Sequence, residues 1–247
     1  MDFILFLQEY YLYIIIGVLI ISSLGVIIAA NLSYDAFVRQ FEKMKDVPTS
    51  FFGTAMDMAK FLNSNKFFSM LKIETFEKAP NKPNGSYMPY SKILKLSDKI
   101  AFNNSIASIA ITAHELGHAA QQFENSKKLS QNLSLMCFVK ILGTINYPVF
   151  FAAIFFFIAQ YNMLTIICLT FIGFSFLTAL ILKYVTINLE KDASNRAVNL
   201  LKDYDLISEQ EIIQVKKFLK AARKTYTGDF FRALFAWTGL TRKTRFF

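Results

Sequence analysis

The residues best equipped for chemistry fall in one stretch, Ile111-Thr112-Ala113-His114-Glu115-Leu116-Gly117-His118-Ala119-Ala120, which contains the pattern H-E-x-x-H. On a helix, side chains four positions apart lie one turn above each other, so His114 and His118 can offer two imidazole nitrogens to a single metal ion. Glu115 sits about 100° round the helix from His114, where it can reach a metal-bound water without being a ligand. That is the geometry of a zinc hydrolase, with Glu115 as its base. The chain has two histidines and both are in this pattern. Two imidazoles plus a carboxylate suit the borderline softness and tetrahedral habit of Zn2+.

Two histidines leave such a site one protein ligand short, and no third histidine exists, so a carboxylate must complete it. Of nine glutamates, seven besides Glu115 and Glu190 lie in regions that read as termini, loops, a short strand or solvated helix faces. Glu190 is the attractive choice, because Ala193, Ser194 and Ala197 on its own side of the helix permit close approach to the metal helix. Asp192 is the alternative carboxylate, roughly 200° away on the same helix and so unable to share the role. The remaining reading of Glu190 is an interfacial surface charge.

The elements that must position these groups are legible in outline. The metal helix is predicted from Ser105 to Asn125, largely buried through Ile106, Ala107, Ile109, Ala110 and Ile111, with Asn125 as a left-handed stop. Its flanking Asn103, Asn104, Gln121, Gln122 and Glu124 argue against its being a membrane span itself. Upstream, a helix is expected from Ser33 to Lys45, ended by Pro48, and a second from Thr49-Ser50 to about Asn63. A half-buried strand is expected over Met70 to Phe76, then a Pro- and Gly-rich loop from Ala79 continuing through Ser86-Tyr87-Met88-Pro89. A second short strand is expected over Lys92 to Ser97, either lying beside the metal helix with an exposed edge for an extended substrate or serving packing alone. The Glu190 helix runs without a break from Met163 to about Asp203, so membrane anchor and site should form one rigid body.

With 54% hydrophobic residues, 27 phenylalanines and a positive mean hydropathy, the chain reads as a membrane protein rather than a soluble domain. Three stretches are long enough to cross a bilayer: Tyr11 to Ala30, Cys137 to Ala159 and Met163 to Leu182. The first is not a cleaved signal peptide, since its leader carries Asp2 and Glu9 and no basic residue. Thirteen Lys and Arg residues fall between Arg39 and Lys128 and thirteen from Lys183 onward, with none before the first span or in Gln160-Tyr161-Asn162. The positive-inside rule therefore puts both polar regions in the cytoplasm and the N-terminus outside, in a multi-pass protein of the cell membrane. The net charge of +9 follows from this topology and from anionic lipid heads. Nucleic acid is excluded as a partner, because the basic residues are spread without aromatic interleaving or a known motif. Cys137 and Cys168 fall inside the spans, as packed thiols rather than a disulfide or metal ligands.

The segments His114-Glu115-Leu116-Gly117-His118-Ala119-Ala120-Gln121 and Glu190-Lys191-Asp192-Ala193-Ser194-Asn195-Arg196-Ala197 resemble the YugP-type neutral zinc metallopeptidases of bacterial membranes, with their A-A-H-E-x-G-H-A-x-Q and E-F-D-A-S-x-R-A helices. Leu96-Ser97 and Ala221-Ala222-Arg223-Lys224-Thr225-Tyr226 extend the likeness, as does the order of one span, metal helix, two spans and glutamate helix. The resemblance implies Glu190 as third ligand, with Ser194 in place of the aspartate that supports a histidine in gluzincins, and Tyr226 as a candidate donor to the oxyanion. The chain departs from the family in Asn84 to Pro89, which lacks the His and Asp of a D-H-Y-D-P loop, and in its basic, aromatic end from Asp229 to Phe247.

The expected fold is a mostly α membrane protein, a zincin-like α+β metallopeptidase domain with three transmembrane helices and a small β-sheet. Residues 1–30 form an N-terminal anchor, 31–136 the cytoplasmic part with the H-E-x-x-H helix, 137–182 a transmembrane hairpin and 183–247 the cytoplasmic glutamate helix and C-terminal helical region. The expected function is zinc-dependent endopeptidase action on peptide or protein substrates, membrane proteins among them. Its rivals are an inactive membrane scaffold or chaperone-like protein with a remnant metal site, and a site-two-type intramembrane protease, for which no Asn-Pro-Asp-Gly pattern is present.

Overall fold

A computed structural model describes residues 31–77 and 85–234, together with Ile28, and side chains as far as Thr225. Helix α1 (residues 31–44) ends before Pro48, which forms an isolated bridge with Ser105. Helix α2 (Ala55–Asn65) begins later than the expected Thr49-Ser50. Thr54 sets the start: its hydroxyl accepts from the Asp57 amide at 3.3 Å while Asp57 accepts from the Thr54 amide at 2.9 Å. This reciprocal cap satisfies two of the donors a helix start leaves open. Thr49 and Ser50 are engaged elsewhere, Thr49 with Asn104 and the Ser50 amide with Glu211 at 2.6 Å, so they tie the loop to the entry of the metal helix and to the last helix.

Strands β1 (Lys72–Phe76), β2 (Gly85–Met88) and β3 (Ile93–Ser97) form one sheet in the order β1-β3-β2, with β3 parallel to β1 and antiparallel to β2. This overturns two expectations. Ser86 to Met88 is strand rather than loop, and the Ile93–Ser97 strand is central, paired on both sides, so it has no free edge. The strand against the metal helix is β2. A Cβ added at Gly85 would stand 3.1 Å from Ile111 Cγ2 and 3.2 Å from Glu115 Cγ, so the absent side chain lets the strand lie on the helix.

Helix α3 (Asp98–Ala101) leads from the sheet to α4 (Ile106–Phe123), whose cap is the Ser105 hydroxyl accepting from the Ser108 amide at 3.2 Å. Every residue of α4 from Ile106 to Gly117 is buried, as its Ile and Ala run predicts. The expected stop is also present: Asn125, just past the last helical turn, has φ 49°.

Helices α5 (Lys127–Ile158) and α6 (Asn162–Asp203) are joined by a short turn in which Gln160 takes φ 61°. As expected, α6 is unbroken; its 42 residues make it about 63 Å long. In the most apolar window of each helix only 11% and 17% of residues are buried, which is the opposite of a soluble core helix. Both are long and apolar enough to cross a membrane. Thr165, Thr170, Ser175 and Thr178 donate to carbonyls four residues back at 2.8–3.2 Å, so their hydroxyls are satisfied without water. Cys137 and Cys168 are free thiols on these two helices. The first expected span, Tyr11 to Ala30, lies outside the described residues.

Helix α7 (Glu209–Leu234) closes the core, with Val215, Phe218, Leu219 and Ala222 buried and Phe218 packed on Phe37 of α1 at 5.5 Å between ring centroids. The core is therefore built round α4, with α6 and α7 laid across it.

Candidate metal centre

Both histidines face α6. Glu190 Oε2 lies 3.1 Å from His114 Nε2 and 3.5 Å from His118 Nε2, and one donor atom from each of the three residues lies within 4.8 Å of the others. Asp192, the alternative carboxylate, points away: its oxygens take Gln121, Lys128 and Arg196 at 2.8–2.9 Å.

The far side of each imidazole is held as well. Ser194 Oγ stands 3.3 Å from His114 Nδ1 and donates its own proton to the Glu190 carbonyl at 2.9 Å, so it accepts from Nδ1–H. Gln121 Nε2 donates to the Leu189 carbonyl and to Asp192, both at 2.9 Å, which fixes the amide so that its Oε1, 3.0 Å from His118 Nδ1, accepts there. Both Nδ1 atoms are thus engaged as N–H donors, which leaves the two Nε2 atoms, the ones that face Glu190, as the positions where a metal would bind.

The electrostatics agree with a cation. Burial lowers the His118 pKa, but the Glu190 carboxylate outweighs it and pushes the imidazole up to about 9. Burial likewise opposes ionisation of Glu190, and the His118 and His114 rings outweigh it, holding the carboxyl well below its ordinary range. The three groups thus favour positive charge beside the carboxylate, the arrangement that suits a bound cation. Glu115 is buried beside the triad, and burial pushes its pKa up. Its Oε1 has no hydrogen-bond partner among the described residues, while the Tyr87 amide of β2 faces the carboxylate. Two imidazoles, one carboxylate and an adjacent buried carboxyl with an unengaged oxygen are a donor set that fits zinc and a water.

Sequence reasoning missed two positions. Gln121 orients His118, and the signal was its place three residues on along the same helix face. Gly117 is where the backbone of α6 meets α4: a Cβ there would press into the Ala193 carbonyl oxygen and stand 3.3 Å from the Ala197 nitrogen. Gly117→Ala should therefore push α6 outward and carry Glu190 off the histidines. The expected result is loss of bound zinc and a destabilisation of about 1–3 kcal/mol from overpacking, read by zinc content and thermal unfolding in detergent. Stoichiometric zinc with unchanged melting would show that the helices tolerate the separation. Tyr226 lies in α7, but its side chain is outside the described residues.

The profile of a family described as "Putative neutral zinc metallopeptidase" matches residues 13–242, which include every residue of this centre. The chain belongs to that family. It is also 29% identical over 150 residues to a protein of Bacillus subtilis (strain 168) named "Putative membrane protease YugP". That match covers 60% of this chain and 63% of the relative, so the chain spans less than two thirds of the relative's length. No solved structure matches. Zinc is the metal of this metallopeptidase family, and His114, His118 and Glu190 are the group that could bind it.

Proposed function

We propose that the chain is an integral-membrane zinc endopeptidase whose zincin-like domain faces the cytoplasm, carried on three spans of which α5 and α6 supply two. The observation that carries this reading is the buried convergence of His114, His118 and Glu190 with Glu115 beside them. Zinc held by these three residues would act as a Lewis acid and bring the pKa of a bound water toward ~7. Glu115 Oε1 accepts a proton as attack on the scissile carbonyl proceeds and returns it to the leaving amine. Its raised pKa suits a group that must both take and give a proton. Ser194 and Gln121 keep the imidazoles in the ligating tautomer. Among the described residues β2 is paired only to β3, and its remaining edge can hold an extended peptide by backbone pairing close to Glu115. Tyr226 would donate to the oxyanion. An inactive scaffold has no use for a buried carboxyl with an unengaged oxygen.

The test is hydrolysis of casein by the detergent-purified protein. Cleavage that stops with a zinc chelator supports the reading, and no cleavage by fully zinc-loaded protein sinks it. Orientation has its own test. In a background lacking Cys137 and Cys168, cysteines beside Lys45, Lys128 or Lys191 should resist a membrane-impermeant thiol reagent in intact cells, while one at Asn162 should react. Labelling beside Lys128 from outside would overturn the topology.

A further inference from the structure

Between α6 and α7 runs a groove of about 600 Å³ whose lining includes Ser194, Asn199, Lys202, Lys216, Lys220 and Arg223 and no acidic residue. Lys202 is paired with Glu209 at 3.0 Å, but among the described residues no carboxylate pairs with Lys216, Lys220 or Arg223. Like charges gathered round one concavity repel each other, and an anionic occupant relieves that repulsion. Ser194 is part of the lining, and its hydroxyl oxygen lies 3.3 Å from His114 Nδ1, on the side of the ring away from Nε2.

We propose that this groove binds acidic side chains of the peptide substrate, a few residues from the bond presented at the metal centre. The inference rests on the peptidase reading and names the substrate class. Two observations select a peptide over other anions. A span ending near Leu182 leaves Ser194 about 18 Å farther along α6, and Lys202 farther still, whereas a headgroup layer is only about 5–8 Å thick. Lipid phosphates therefore do not reach it. Ser194 belongs both to the groove lining and to the support of His114, so an acidic segment held in the groove lies next to the residues of the metal centre. Lysine ammoniums and one guanidinium, with Asn199 as a neutral donor, suit carboxylates spaced along an extended chain.

The probe is a pair of fluorescein-labelled unstructured peptides, one bearing four glutamates and the other four glutamines at the same positions. Binding is measured by anisotropy on zinc-loaded Glu115→Gln protein. The acidic peptide should bind at least tenfold more tightly at low salt, and its advantage should shrink at high salt. The double variant Lys216→Glu/Lys220→Glu should abolish the preference. Both side chains are exposed, so folding should be kept, and thermal unfolding checks this. Lys217→Glu, on α7 but outside the groove lining, should leave the preference intact. Equal binding of the two peptides, a preference that survives the double variant, or displacement of the acidic peptide by millimolar inorganic phosphate would each overturn the proposal. An acidic preference in a protein that cleaves nothing would keep the groove and reject the peptidase, while casein cleavage without the preference would do the reverse.

Discussion

Glu115→Gln is expected to keep zinc at one per chain while turnover falls roughly 10²- to 10⁴-fold, the range associated with losing a positioned general base. The substitution is nearly isosteric, and Glu115 is not among the three residues whose donor atoms converge. A glutamine cannot take up a proton at neutral pH, so attack loses its base while the ligands stay in place. The fold should tolerate the change, because the burial of Glu115 already disfavours its charged form. Casein turnover and bound zinc, measured on the same preparation, read the two halves of the prediction. Full activity would remove Glu115 from the mechanism, and lost zinc would make it a ligand.

Glu190→Ala should bind zinc weaker by orders of magnitude, since it leaves two imidazoles and no protein anion. The loss has a second part. Glu190 is what the Nε2 atoms of both rings face at 3.1 and 3.5 Å, so its removal also leaves a wider hole between α4 and α6. Asp192→Ala is the control. It deletes an acceptor of Gln121, Lys128 and Arg196, but Gln121 keeps the Leu189 carbonyl and can still hold His118. Zinc should remain stoichiometric there, with affinity reduced at most about tenfold, the low end of what outer partners of metal ligands contribute. Stoichiometric zinc in Glu190→Ala together with loss in Asp192→Ala would show that the wrong carboxylate has been assigned.

The centre is legible in the sequence where helical periodicity acts alone. His114 and His118 share a face by spacing, Glu190 follows from the absence of a third histidine and from its small neighbours, and the unbroken α6 follows from a run without Pro or Gly-rich interruption near Glu190. The Asn125 stop is legible for the same reason. What depends on contacts between distant segments is not. Gly85 to Met88 becomes a strand because β3 and α4 are there to receive it, and four residues after a Pro- and Gly-rich loop carry too little alternation to announce that. Thr54 prevails as a cap over Thr49 and Ser50 because those two are engaged by Asn104 and Glu211, far along the chain. Gly117 reads as an ordinary small residue until the Ala193 carbonyl is found against it. The orientation of the His114 and His118 rings needs Ser194 and Gln121 in three dimensions, where a pattern names residues but not the atoms that donate.

Zinc-edge X-ray absorption on the wild-type protein in detergent tests the central claim most directly. The account predicts one zinc per chain, with two imidazole nitrogens at about 2.0–2.1 Å and the remaining scatterers oxygen at about 2.0–2.2 Å. A sulfur shell at about 2.3 Å, which would bring in Cys137 or Cys168, or a protein that takes up no zinc, would contradict it.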